Sequence, residues 1–107
     1  MAKLRQGQVH WANLPPPAGR RPVLVLTRSD AVNQLSGVTV APLSRTIRHL
    51  DSEVILTPDL GLPSLCAVSL DSIVTLPRTL LDQPLLALDD QTMSEVFAAI
   101  RFTFAMA

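Results

Sequence analysis

Short apolar segments separated by turn residues occupy most of the first 76 residues of this 107-residue chain, and they restrict the fold more than any other feature. Four early segments of four to eight residues are rich in Val, Leu and Ile and predict β-strands. They span residues 8–14, 23–26, 38–43 and 53–56. Residues 66–68 and 72–76 predict either one bent strand or two short ones. The sequence therefore predicts a mainly β protein with a barrel-like sheet.

The first two predicted strands differ in how their apolar residues are distributed. In the first strand Val9 and Trp11 lie on one face while His10 and Ala12 lie on the other, and a proline-rich run ends it. The second strand is continuously apolar, which is typical of a strand covered on both faces. We therefore expect the second strand to be central in the sheet.

The hydrophobic period changes near the end of the chain. Apolar residues recur at helical spacing at Met93, Val96, Phe97, Ile100 and Phe104. Acidic residues precede this segment and a basic residue lies near its end, an arrangement that the helix dipole favours. The pattern predicts an amphipathic C-terminal helix that closes a single domain spanning residues 1–107, a length that can bury one core.

Composition excludes several classes of protein. The apolar fraction is 48% and the charged fraction 17%, and no run of about 18 uncharged apolar residues predicts a membrane span. No secretory signal is apparent, so we expect a cytoplasmic protein. Cys66 is the single cysteine, lies in an apolar run and is interpreted as a buried, inert thiol. His10 and His49 stand far apart in sequence, and neither a metal site nor a cofactor is predicted.

Positive charge is concentrated in the first half of the chain. The first 50 residues hold seven of the nine Lys and Arg residues and one acid, Asp30. The seven are Lys3, Arg5, Arg20, Arg21, Arg28, Arg45 and Arg48. They either form a basic face that attracts a polyanion or remain solvated, and pairing with the acidic second half is a further alternative. The polar stretch 45–51 is predicted to be an exposed loop.

Four segments in order resemble the MazF/PemK toxins. They are GQVHWANL at 7–14, GRRPVLVL at 19–26, VTVAPLS at 38–44 and VSLDSIVTLPR at 68–78. The resemblance implies a small, SH3-like, partly open antiparallel β-barrel with a C-terminal α-helix, a fold shared with the CcdB toxins. It also implies a homodimeric, metal-independent, sequence-selective endoribonuclease that cleaves single-stranded RNA such as mRNA. A MazE-like cognate antitoxin is implied as its inhibitor.

The resemblance assigns catalytic roles to three residues. Arg21 matches the family's catalytic arginine, and its guanidinium suits stabilisation of charge on the phosphate. Ser44 takes a position usually held by threonine and keeps a hydroxyl that donates to a phosphate oxygen. Asp71 falls where some members have an acid near the RNA. The loop after the first strand has no carboxylate, so Asp71 and His10 are the candidates for the base unless charge stabilisation carries most of the rate.

Further residues are candidates for binding the RNA. Arg20, Arg45 and Arg48 are expected to bind phosphates, and Asn13 is expected to read a base edge. Trp11 either stacks on a base or packs in the core, and the core interpretation is favoured. The alternative function is that of a CcdB-like or inactive relative that only binds, for example to gyrase. Such a protein needs no phosphate-directed arginine and hydroxyl.

Overall fold

Seven strands and one C-terminal helix make up residues 3–106, the part of the chain that the computed structural model describes. The strands are β1 (Gln8–Asn13), β2 (Arg20–Val25), β3 (Gly37–Ser44), β4 (Glu53–Leu56), β5 (Cys66–Ser69), β6 (Val74–Pro77) and β7 (Leu81–Ala87). The helix is α1 (Asp90–Thr103). Three short 3₁₀ turns follow β4, β5 and β6, at Pro58–Leu60, Leu70–Ser72 and Arg78–Leu80.

The strands form one antiparallel sheet that curls without closing. Its order is β4-β5-β3-β2-β1-β7, and β6 lies beside β3. The long strand β3 pairs with β2 along one edge, while its other edge pairs with β6 at its start and with β5 at its end. This confirms the partly open antiparallel barrel, and it shows that the segment after Cys66 forms two strands instead of one bent strand.

Strand β2 is covered on both faces, as its continuous apolar run predicts. Leu24 packs with Val9 in a core beneath the helix, whereas Val23 and Val25 pack with Ala12 in a second core on the opposite face. All five side chains are almost fully buried. Alternate residues of neighbouring strands therefore fill two different cores, and β1 and β2 form a rigid support for the residues at their ends.

The largest differences from the sequence prediction concern β2 and β7. Strand β2 begins at Arg20, three residues before its apolar run, because Arg20 and Arg21 pair with Asn13 and Ala12 of β1. Strand β7 was not predicted, since polar residues and Pro84 interrupt its pattern. It is an edge strand. A sheet tolerates proline there, because a residue on the open edge does not need an N–H group to pair with another strand.

The C-terminal helix is confirmed and packs against β4 and the Leu70–Ser72 turn. Asp89 caps it by accepting a hydrogen bond from the Thr92 backbone N–H at 2.8 Å, and this bond lowers the pKa of Asp89. Met93 and Val96 are buried, whereas Phe104 lies just past the helix end and is 57% exposed. Within residues 3–106 no helix has the length and apolar character needed to cross a membrane.

Candidate active site

A cleft of about 550 Å³ opens where β2 begins and β3 ends. Val23 lies opposite Pro42, and continuing this antiparallel register places Arg21 level with Ser44. The polar lining consists of Arg20, Arg21, Ser44, Arg45, Thr46 and Ser64. Trp11 and Leu43 contribute to its apolar wall. Guanidinium and hydroxyl groups from several elements therefore face one space, and cations and hydrogen-bond donors are what a phosphate requires.

The Arg21 side chain is held by the loop that precedes β2. Its Nε donates a hydrogen bond to the Ala18 carbonyl oxygen at 3.0 Å. The following residue, Pro22, restricts Arg21 to extended backbone, and Ala12 lies opposite it across the β1–β2 ladder. Because Nε is engaged with the protein, the two terminal NH₂ groups remain for a phosphate in the cleft. The short loop thus supplies a carbonyl that orients the guanidinium.

Ser44 is the last residue of β3 and is half-buried. Its Oγ accepts a hydrogen bond from the Thr46 backbone N–H at 3.1 Å. That bond fixes the oxygen while leaving the hydroxyl proton free to donate. The next residue, Arg45, is exposed and also lines the cleft. A hydroxyl donor and a second cation therefore flank the space that Arg21 faces.

Arg20 is engaged by three side chains from two other strands. Its Nη1 donates to Asn13 Oδ1 at 2.9 Å and to Asp82 Oδ2 of β7 at 2.8 Å, which is also an ion pair. The hydrogen bond from Arg20 lowers the pKa of Asp82 below its ordinary value. The guanidinium carbon lies 5.1 Å from the centroid of the Trp11 ring. Arg20 is consequently fixed over an aromatic ring.

Two of the residues proposed from the sequence, Asp71 and Arg48, lie away from the cleft. Asp71 sits in the turn after β5, four residues beyond the register partner of Ser44, and accepts a hydrogen bond from the Ser52 hydroxyl. Arg48 lies in the exposed loop after β3, as predicted, but its side chain does not line the cleft. The structure therefore brings Arg20, Arg21, Ser44 and Arg45 together and separates Asp71 and Arg48 from them.

The other candidate base, His10, also lies elsewhere. It is 2% exposed and points to the face of β1 opposite Trp11. Its Nδ1 lies 3.0 Å from the Asp82 carbonyl oxygen and its Nε2 lies 3.0 Å from Gln8 Oε1. Both ring nitrogens thus lie next to oxygen atoms of the protein and away from the cleft.

The structure adds to what the sequence indicated for three residues in or next to the cleft. Trp11 was interpreted as core, but it is half-buried, belongs to neither core cluster and lines the cleft. Asp82 lies on the unpredicted strand β7, which hid its pairing with Arg20. Cys66 is buried as predicted and forms part of the cleft wall, where burial raises the pKa of its thiol. Its thiol therefore stays protonated at neutral pH.

The fold and the cleft together define the class of protein: a small open β-barrel with an anion-binding cleft of guanidinium and hydroxyl groups. Among residues 3–106 no three or more His, Cys, Asp or Glu side chains group as metal ligands would. Residues 5–104 match the family of PemK-like, MazF-like toxins of type II toxin–antitoxin systems. The chain belongs to this family.

Individual relatives agree with the family match. The chain is 38% identical to the probable endoribonuclease MazF2 of Mycobacterium tuberculosis, over 92% of this chain and 95% of that protein. The structure of M. tuberculosis toxin MazF-mt6 superimposes with a TM-score of 0.87 at 33% identity, covering 94% and 98% of the two chains. A mycobacterial endoribonuclease solved in complex with its cognate antitoxin has a TM-score of 0.86 at 23% identity, covering 97% of each chain. The family resemblance seen in the sequence is confirmed.

Proposed function

We propose that this chain is the cytoplasmic, RNA-cleaving toxin of a toxin–antitoxin pair, and that it cuts single-stranded RNA without a metal ion. The observation that carries the proposal is the meeting of Arg21 and Ser44 at one cleft, with the Arg21 Nε bound to the Ala18 carbonyl. The similarity to proteins named endoribonucleases favours this function over that of a CcdB-like gyrase poison. The arginines and hydroxyls of the cleft suit a phosphate far better than Mg²⁺ or Ca²⁺, which carboxylate oxygens usually bind.

The reaction that these groups favour uses the RNA's own 2′-hydroxyl. Solvent water takes the proton from O2′, O2′ forms a bond to phosphorus while the bond from phosphorus to O5′ breaks, and a second water molecule gives O5′ a proton. The products are a 2′,3′-cyclic phosphate and a 5′-hydroxyl. Arg21 stabilises the extra negative charge on the phosphoryl oxygens, and the Ser44 hydroxyl donates to one of them.

The positions of the two candidate bases favour structural roles for both. Neither Asp71 nor His10 lies in the cleft, and the Asp71 carboxylate accepts a hydrogen bond from Ser52. We therefore assign both residues structural roles. Stabilisation of charge, chiefly by Arg21 and to a smaller extent by Ser44, is the main source of the rate.

A homodimer and a MazE-like antitoxin complete the proposal. Phe102, Phe104 and Met106 are each more than half exposed at the end of the chain, and a second copy would cover such an apolar surface. The antitoxin is expected to insert an acidic segment that competes with RNA for Arg21 and Arg45. A mycobacterial relative of the same fold was solved with its cognate antitoxin.

The function is tested by incubating the purified protein with a long RNA in EDTA and mapping the ends. We expect internal cuts that leave 2′,3′-cyclic phosphates and 5′-hydroxyls. A strict requirement for Mg²⁺ contradicts the mechanism. Intact RNA together with inhibition of gyrase supports the CcdB-like alternative.

A further inference from the structure

The position of Trp11 is not explained by packing in a hydrophobic core. It shares one face of the β1–β2 pair with Asn13 and Arg20, because Trp11 lies opposite Pro22 and Asn13 lies opposite Arg20. Its ring is half-buried, lies outside both cores and forms part of the cleft that contains Arg21 and Ser44. An indole partly open to the cleft presents a flat apolar surface to whatever binds there.

The neighbouring strand makes this surface rigid. Strand β7 is irregular opposite Trp11, since Ala12 pairs with Leu81 and His10 pairs with Pro84. Asp82 falls in this irregular stretch and reaches Arg20 at 2.8 Å, while Asn13 binds the same guanidinium nitrogen at 2.9 Å. The guanidinium is thereby held 5.1 Å from the Trp11 ring centroid. Three strands thus position two planar groups beside one another.

The ion pair also changes what Arg20 can do. Its charge is balanced by Asp82 in direct contact, so it gains less from a phosphate than Arg21 or Arg45 does. Its planar face remains suited to stacking, and bases of single-stranded RNA stack on aromatic rings and on arginine planes. The expectation from the sequence that Arg20 is a phosphate ligand therefore gives way to a different role.

We propose that Trp11 and Arg20 form a stacking subsite for one unpaired RNA base next to the phosphate held by Arg21 and Ser44, with Asp82 and Asn13 as positioning residues. This inference rests on the proposed function. The subsite selects single strands, because a base can enter it only after leaving a duplex. It contributes affinity for any base, since every base has a stackable face.

Trp11 is the single tryptophan, so its fluorescence reports on the subsite directly. The unaltered protein is titrated with unlabelled single-stranded RNA of about 12 randomised nucleotides, a length in the range of single-strand binding sites. Each 2′-hydroxyl of this RNA is replaced by hydrogen, so that the proposed nucleophile is missing and the strand stays intact. Anisotropy of the same RNA carrying a dye measures binding independently. We expect the tryptophan emission to be quenched in step with binding, and a duplex of equal length to give no quenching. Binding without a change in emission overturns the subsite, and so does the absence of binding.

Substitutions separate stacking from packing. Trp11→Phe keeps an aromatic face and should retain affinity within about threefold, whereas Trp11→Leu keeps apolar bulk and should bind about ten- to a hundredfold more weakly. Equal affinity of the Phe and Leu variants, with wild-type circular dichroism and thermal midpoint, overturns the proposal. In the wild-type protein, quenching without RNA cleavage contradicts the proposed function and leaves the subsite standing. Cleavage of RNA by both proteins, with equal KM for Trp11→Leu and wild type, supports the proposed function and overturns the subsite.

Discussion

The cleft at the start of β2 and the end of β3 is lined by charged and polar side chains, whereas the surface near the end of the chain is apolar. The cleft gathers three arginines and three hydroxyl side chains, and loop carbonyls and strand ends fix their positions. The apolar surface, made of Phe102, Phe104 and Met106, has exposed fractions of 57–59%. Catalysis and assembly are therefore proposed to depend on different side chains. Variants in the cleft should change the rate without changing assembly, and variants on the apolar surface should do the reverse.

The largest effect is expected from Arg21→Ala. We expect kcat for RNA cleavage to fall about a hundredfold or more, because Arg21 is the arginine proposed to meet charge developing on the phosphoryl oxygens. Arg28→Ala and Arg101→Ala are matched controls, since both arginines are exposed and neither lines the cleft. Equal losses from all three variants would indicate general electrostatic attraction in place of a site. Thermal midpoint and dimerisation should be unchanged in each.

The second largest effect concerns assembly. Phe104→Asp places a charge on the apolar surface and should yield monomer or insoluble protein, measured by light scattering at micromolar concentration. Leu60→Asp is the control, since Leu60 is 41% exposed on the Pro58–Leu60 turn. A soluble, fully active monomer of the unaltered chain would contradict the dimer.

Ser44→Ala should have a smaller effect than Arg21→Ala. It removes one neutral donor to the phosphate, and the loss of such a hydrogen bond should lower the rate about tenfold. Ser44→Thr restores the hydroxyl on a side chain that is stiffer at χ1, so its kcat should equal or exceed that of the wild type. Steady-state kinetics on one RNA decide the order. A Thr variant as slow as the Ala variant would remove Ser44 from the site.

The smallest effect distinguishes two arginines of one loop. Arg45 lines the cleft and Arg48 does not. Arg45→Ala should reduce the slope of log affinity against log salt by about 0.7, the value for one phosphate contact on a single strand. Arg48→Ala should leave the slope unchanged. Equal slopes for both variants would place the RNA outside the cleft.

The sequence predicted the fold better than it predicted the site. Apolar periodicity identified β4 and α1 because their burial is periodic, whereas β7 escaped because Asp82 and Pro84 break its pattern. The resemblance placed Arg21 and Ser44, and the structure brings them to one cleft. The resemblance also suggested Asp71, whose position depends on the path of the chain after β5.

The sequence favoured a core position for Trp11 over stacking, and a physical reason explains why. Alternation shows which residues share a face of a strand, but it does not show where that face stops being covered by the core. The face that buries Val9 ends at Trp11, where Arg20 lies over the ring. Only the three-dimensional pairing of β1 with β2 and β7 distinguishes a core tryptophan from one that lines a cleft.

The central claim is that the RNA's own 2′-hydroxyl attacks the phosphate held by Arg21 and Ser44. The most direct measurement is the single-turnover cleavage rate, in EDTA, of an RNA with one mapped cut site. It is compared with the same RNA carrying a 2′-deoxynucleotide on the 5′ side of the scissile phosphate. Cleavage of the first RNA to a 2′,3′-cyclic phosphate, with no cleavage of the second despite equal binding, is the predicted result. Cleavage of the deoxy-substituted RNA at a comparable rate would contradict the mechanism.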